Sequence, residues 1–146
     1  MDKRADISGS ELVTQVFGYW PSFHDAEVIR MSFETTTPYA AGPDLRADIY
    51  TFEITNEVGS NGAFILQHHT LVSFRFSGIE NLRMDGFGNQ NAIMGLSIAD
   101  VRSRQLETIN FEVTFEGSFG VSAEFMCRDV SVESVRAWKP ERGGEA

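Results

Sequence analysis

The chain has 146 residues, with 12 basic and 21 acidic side chains and a net charge of −9. Such a balance repels nucleic-acid phosphates and anionic lipid, which excludes DNA, RNA and membranes as expected partners; it suits a basic protein partner, and equally an acidic protein with no such partner. Hydrophobic residues make up 42%, twelve of them Phe, and Cys127 is the single cysteine, so one domain over residues 1–146 can build an ordinary core with no disulfide or metal staple.

The first element is a short helix. Ser10 is the expected N-cap, Glu11 adds negative charge to the first turn, and Leu12, Val13, Val16 and Phe17 form an apolar stripe. Gly18 marks its end and Pro21 bars its resumption. Strands follow from Asp25 onward. "AEVIRMSFE" places Ile29, Met31 and Phe33 on one side, and "LRADIYTFEIT" places Tyr50, Phe52 and Ile54 on one face. Between them "TTTPYAAGPD" reads as a loop, and Asn61-Gly62 as a tight corner. "TLVSFRFSG" turns Val72, Phe74 and Phe76 inward and Ser73 and Arg75 outward, while Leu82 to Met84 and Ile93 to Ile98 flank a Gly-Asn loop as short strands. In the last third, Ile109, Phe111, Val113 and Phe115 share one parity, as do Phe119, Val121, Ala123, Phe125 and Cys127. An "EGS" loop pairing Phe115 with Phe119 and a third strand beyond Arg128 give an antiparallel meander. Residues 1–8 and 139–146 are polar and expected to be flexible. The expected fold is mainly β: an antiparallel sheet, either one curved sheet or a two-layer sandwich, with one short N-terminal helix.

A lone cysteine points to a reducing compartment. No apolar run approaches the ~20 residues that span a bilayer, and "MDKRADISGS" lacks a signal-peptide core. The expected location is therefore cytoplasmic.

The chemistry-bearing side chains are sparse. His24 and Asp25 are adjacent, so on an extended segment they diverge, and Ser22 lies in no strand–turn–helix elbow. A structural role is favoured, with Asp25 tying a turn and His24 bonding backbone. A small enzyme or ligand-binding protein using His24 and Asp25 in a pocket rimmed by Tyr19, Trp20 and Phe23 is the alternative. His68 and His69 are likewise adjacent, and no metal-ligand spacing joins them to His24. "GFGNQN" at residues 86–91 has Asn at the third glycine position of a phosphate fingerprint and opens no helix. No catalytic, cofactor or metal residue is assigned. Glu112 and Glu124 fall on one outward face, and a two-residue turn at Arg128-Asp129 brings Glu133 opposite Glu124. Like charges so opposed are either simply tolerated on a wet face or mark the docking of a basic partner.

The block "WPSFHD" (Trp20, Pro21, Ser22, Phe23, His24, Asp25) running into "MSFE" resembles the opening of the immunity protein 50 family. The similarity extends through "SFRFSGIENLRMDGFGNQNAIMGLSI", with Gln90-Asn91 its second mark, and ends at "VSAEFMCRDVSVESV". What the resemblance implies is a small, mostly β protein found beside bacterial polymorphic toxins, which neutralises a cognate toxin by binding it without catalysis. The net charge of −9 fits a basic nuclease toxin, through steering and nucleic-acid mimicry. A plain structural or oligomeric β module is the third reading.

Overall fold

The structure, a computed structural model, describes residues 4–35 and 42–140. Helix α1 (Ser10–Phe17) starts one residue earlier than a Ser10 cap would allow. Its N-cap is Gly9 at φ +80, and Ser10 is buried inside the first turn. The reason is a close approach. A Cβ on Gly9 would stand 2.3 Å from the Val132 carbonyl oxygen, so no other residue fits there. Val13 and Phe17 are buried, Leu12 and Val16 pack at the margin, and Gly18 closes the helix by donating its N–H to the Thr14 carbonyl. The expected looseness of residues 1–8 does not extend to residues 4–8. Ile7 is buried, and Ser8 bridges in parallel to Ser131. Of the tail 139–146, residues 141–146 lie outside the described residues, as do residues 36–41 of the first loop.

Eight strands form one antiparallel sheet: β1 (Glu27–Glu34), β2 (Asp44–Val58), β3 (Phe64–Ser77), β4 (Glu80–Asp85), β5 (Ala92–Asp100), β6 (Phe111–Phe119), β7 (Ser122–Cys127) and β8 (Asp129–Ala137). Their order is β4-β7-β6-β5-β1-β2-β3-β8. β3 runs on into β4, and β7 into β8, through one shared corner, where the Arg128 N–H donates to the Ser77 carbonyl at 2.9 Å. The result is a long two-stranded ribbon bent at Gly78 and Arg128. The Phe76 ring on β3 therefore meets Phe125 on β7 at 5.1 Å and Phe115 on β6 at 6.0 Å, although these strands are far apart in the order. Of the two arrangements open from sequence, this is the curved sheet folded over itself. It is not closed.

That corner overturns the meander. β8 does not return along β7; Ser77 already pairs with Asp129, and Phe76 with Val130. The β6–β7 hairpin is also longer than an "EGS" loop, since Phe115 pairs with Ala123 and Phe119 pairs with Ala92 of β5. A shift of four residues keeps the parity, so Phe111, Val113, Phe115, Val121, Ala123, Phe125 and Cys127 still face the core. Phe119 does not, and is exposed. In β1 a bulge at Ile29 puts that residue outside, and Val28 takes its place opposite Ile49. In β2 the core row is Leu45, Ala47 and Ile49, while Tyr50 is covered from the other side by His69 and Trp138.

Beyond Thr51 and His69 the β2–β3 hairpin leaves the sheet. β1 pairs with β2 only as far as Tyr50, and β8 with β3 only as far as Thr70, followed by one bond from the Trp138 N–H to the His69 carbonyl. Residues 52–67 thus form a two-stranded arm, closed at its tip by bonds between Gly59 and both Gly62 and Ala63. No residue of the arm is buried.

Candidate partner-binding surfaces

The "WPSFHD" block is a seam. The two halves of the sheet meet between β1 and β5, whose ladder holds a single pair, Glu27 with Ala92. Backbone bonds from the block complete the join. The Asp25 N–H donates to the Ile93 carbonyl at 3.0 Å, and the Leu96 N–H to the Ser22 carbonyl at 3.1 Å. Just downstream, the Ile93 N–H donates to Ala26 and the Val28 N–H to Asn91. Phe23 and Asp25 both adopt φ +64. For a bulky aromatic this is a strained backbone, offset here because it seats the Phe23 ring in the core, 5.8 Å from Trp20 and 5.7 Å from Phe74. Pro21 is buried beside it, and Arg4 lies over the Trp20 ring at 5.9 Å.

The same turn corrects the expected divergence of His24 and Asp25. The segment is not extended, and the two left-handed residues bring His24 Nδ1 to 3.2 Å from Asp25 Oδ2. Both side chains are more than half exposed. The Ser22 hydroxyl accepts from the His24 N–H at 3.3 Å, so the pair stands on open surface with Ser22 turned to its own backbone. Asp25 ties the turn through its N–H, not its carboxylate.

Asn91 anchors the other side of the seam. It is buried, its Oδ1 accepts from the Gly88 N–H and its Nδ2 donates to the Gly88 carbonyl, both at 2.9 Å. This ring shapes the 86–91 loop as a turn. Among the described residues no group of three or more His, Cys, Asp or Glu is placed to hold a metal ion.

The three acids singled out from sequence do not gather. Glu112 and Glu124 share the outer face of β6 and β7, where Thr114 stands opposite Glu124. Glu133 is on β8, at the far end of the strand order, where Arg46 reaches it at 3.1 Å. Glu124 faces Arg83 of β4, their ion pair being 3.5 Å long, and Glu112 pairs with Arg104. Each carboxylate has an arginine, so the face carries far less net charge than the spacing of acids implies.

The arm presents something else. Pairing of Ile54 with Leu66 and Val58 with Phe64 puts these four apolar side chains on one face of the ribbon. All four are exposed, Val58 at 59% and Phe64 at 58%. Thr55 Oγ1 donates to the Ile65 carbonyl at 2.6 Å and fills the gap left by a bulge in β2. At the root, Glu53 accepts hydrogen bonds from Tyr19 at 2.9 Å and Gln67 at 2.7 Å, and lies 3.0 Å from His68 Nδ1. The bonds from Gln67 and then Tyr19 hold its carboxyl below the ordinary value. The sequence offered a signal, the unbroken "AFIL" after the Asn61-Gly62 corner, but apolar residues in a strand are normally read as core.

A family model described as Immunity protein 50 matches residues 9–138. The chain belongs to this family. The immunity protein 50 match opens at Gly9, which closes on Val132, and ends at Trp138, which covers Tyr50. It therefore takes in helix, seam, folded sheet and arm together. No curated protein and no solved structure gives a significant match.

Proposed function

We propose that this protein protects the cell that makes it by binding a cognate toxin in the cytoplasm, and that it does so as a stoichiometric inhibitor without catalysis. The observation that carries the reading is the family match over residues 9–138. The open setting of His24 and Asp25 agrees with it, because a general base needs a nucleophile or substrate pocket within hydrogen-bond reach. The toxin is basic in this proposal. A net charge of −9 speeds encounter with a cationic partner and weakens the approach of an anionic one.

Two measurements test it. Co-expression with the toxin encoded beside the gene should restore growth, and failure to restore it would reject the reading. Titration of the purified toxin should then reach full inhibition at a fixed molar ratio. Inhibition by a small fraction of an equivalent would instead indicate turnover.

A further inference from the structure

We propose that the arm of residues 52–67 is the element that enters the toxin, laying the Ile54, Val58, Phe64 and Leu66 face into an apolar cleft bordered by cationic side chains. The inference rests on the toxin-binding reading above.

Three observations carry it. First, the four side chains do nothing for the core: they are exposed, and among the described residues the ribbon has no sheet neighbour on either edge past Thr51 and His69. An isolated two-stranded ribbon is marginal in water, so apolar residues gathered on one of its faces point to burial elsewhere. Second, the arm carries Glu53 and Glu57 and no Lys or Arg. The arm can therefore approach a basic surface with no like charge of its own in the way. Third, the arm is held at its root. Tyr19 and Gln67 bond Glu53, and the Phe17 ring meets His68 edge-on at 5.9 Å. Fixing the angle of the ribbon before encounter lowers the ordering cost of binding.

A second copy of this chain is the weaker occupant. It would bring a second chain of net charge −9 against the first, where a cationic partner is attracted. The register shifts between Thr51 and Glu53 and between Ile54 and Val58 also break the continuous edge that strand-to-strand pairing requires.

The test uses the full chain and the adjacent toxin, purified with an inactivating substitution. The double variant Phe64→Ser/Leu66→Ser should bind at least about 100-fold more weakly than wild type, as expected when two central apolar anchors are lost. Glu112→Gln/Glu124→Gln should change affinity by less than about threefold, since both acids are paired on the surface. Unchanged melting of both variants rules out misfolding as the cause, because none of the four residues is buried. If wild type binds and the arm variant binds equally well, the arm inference falls while the toxin reading stands. If wild type itself does not bind, both fall. A wild-type dimer in sedimentation that the arm variant dissolves would assign the face to self-association and overturn the proposal.

Discussion

The Tyr19 hydroxyl donates a 2.9 Å hydrogen bond to Glu53, linking the exit of the helix to the root of the arm. Burial first, and Glu53 second, push the Tyr19 hydroxyl above its ordinary range, so it remains a donor at neutral pH. Tyr19→Phe should lower stability by about 0.5–1 kcal/mol, the range for one partly solvated hydrogen bond. The larger effect should be local, as faster amide exchange in residues 52–67 than in the sheet. Glu53 has a lowered folded pKa, so its contribution is complete above its ordinary 4.5 and is lost as pH falls through the folded value. The stability gap between wild type and variant should accordingly narrow below pH 4.5. A gap that persists into acid would detach the bond from the Glu53 charge.

His69 gives a second pH signature. Burial, and to a lesser extent the charge of Lys139, hold its imidazole below the ordinary 6.5. The Tyr50 hydroxyl lies 2.7 Å from Nδ1, and the two rings stack at 6.0 Å. On acidification the unfolded chain takes up a proton at this position before the folded one does. Stability from neutral His69 is thus complete above pH 6.5 and lost as pH falls through the folded pKa. Melting temperature should drop from neutral to mildly acidic pH more steeply in wild type than in His69→Gln. Parallel profiles would clear His69 of the effect.

The seam separates structural from chemical readings of the "WPSFHD" block. Phe23→Ala should cost about 3–5 kcal/mol, the usual range for deleting a buried aromatic. His24→Ala and Asp25→Ala each remove half of an exposed pair and should cost about 1 kcal/mol or less. Denaturant midpoints will rank them. A His24→Ala variant that keeps its midpoint but loses protection of the cell would move the residue into function.

Gly120 closes the other side. It has φ +85, and a Cβ there would stand 2.1 Å from the Gln90 carbonyl oxygen and 2.8 Å from Asn91 Oδ1. Gly120→Ala combines a left-handed backbone penalty of about 1–2 kcal/mol with displacement of the Asn91 ring. Asn91→Ala should by itself cost about 1–3 kcal/mol, because it strips both bonds from Gly88. If Gly120→Ala unfolds at the wild-type midpoint, the loop is not the rigid joint described above.

Much of this fold can be read from period-two alternation. Val72, Phe74 and Phe76, and likewise Val121, Ala123, Phe125 and Cys127, face inward as their spacing requires. Parity survives even a wrong register, as the four-residue shift between β6 and β7 demonstrates. What alternation does not encode is which strand lies alongside. Val130 and Val132 turn inward on β8 whether the neighbour is β7 or β3, and only the corner at Arg128 decides. Bulges escape it too, since Ile29 looks like a core residue until an inserted position turns it out. The arm was hidden for the opposite reason: its apolar residues obey a strand pattern and yet have no core to face.

Cys127 is fully buried, and burial, aided by Asp129, pushes its thiol up to about 12. A thiol-disulfide reagent such as DTNB should therefore leave it unmodified in the native protein and label it fully in denaturant. Rapid native labelling would mean that the β7–β8 corner opens readily.

The arm leaves the sheet after Thr51 and contributes no side chain to the buried interior. Its sequence is consequently almost free of the constraints that folding places on residues such as Phe23, Asn91 and Gly120. Relatives that share the seam could carry quite different arms and remain equally stable. Under the arm proposal, diversification against new toxins then proceeds by substitution in a short appendage, without the collapse that usually accompanies rapid change in a small protein.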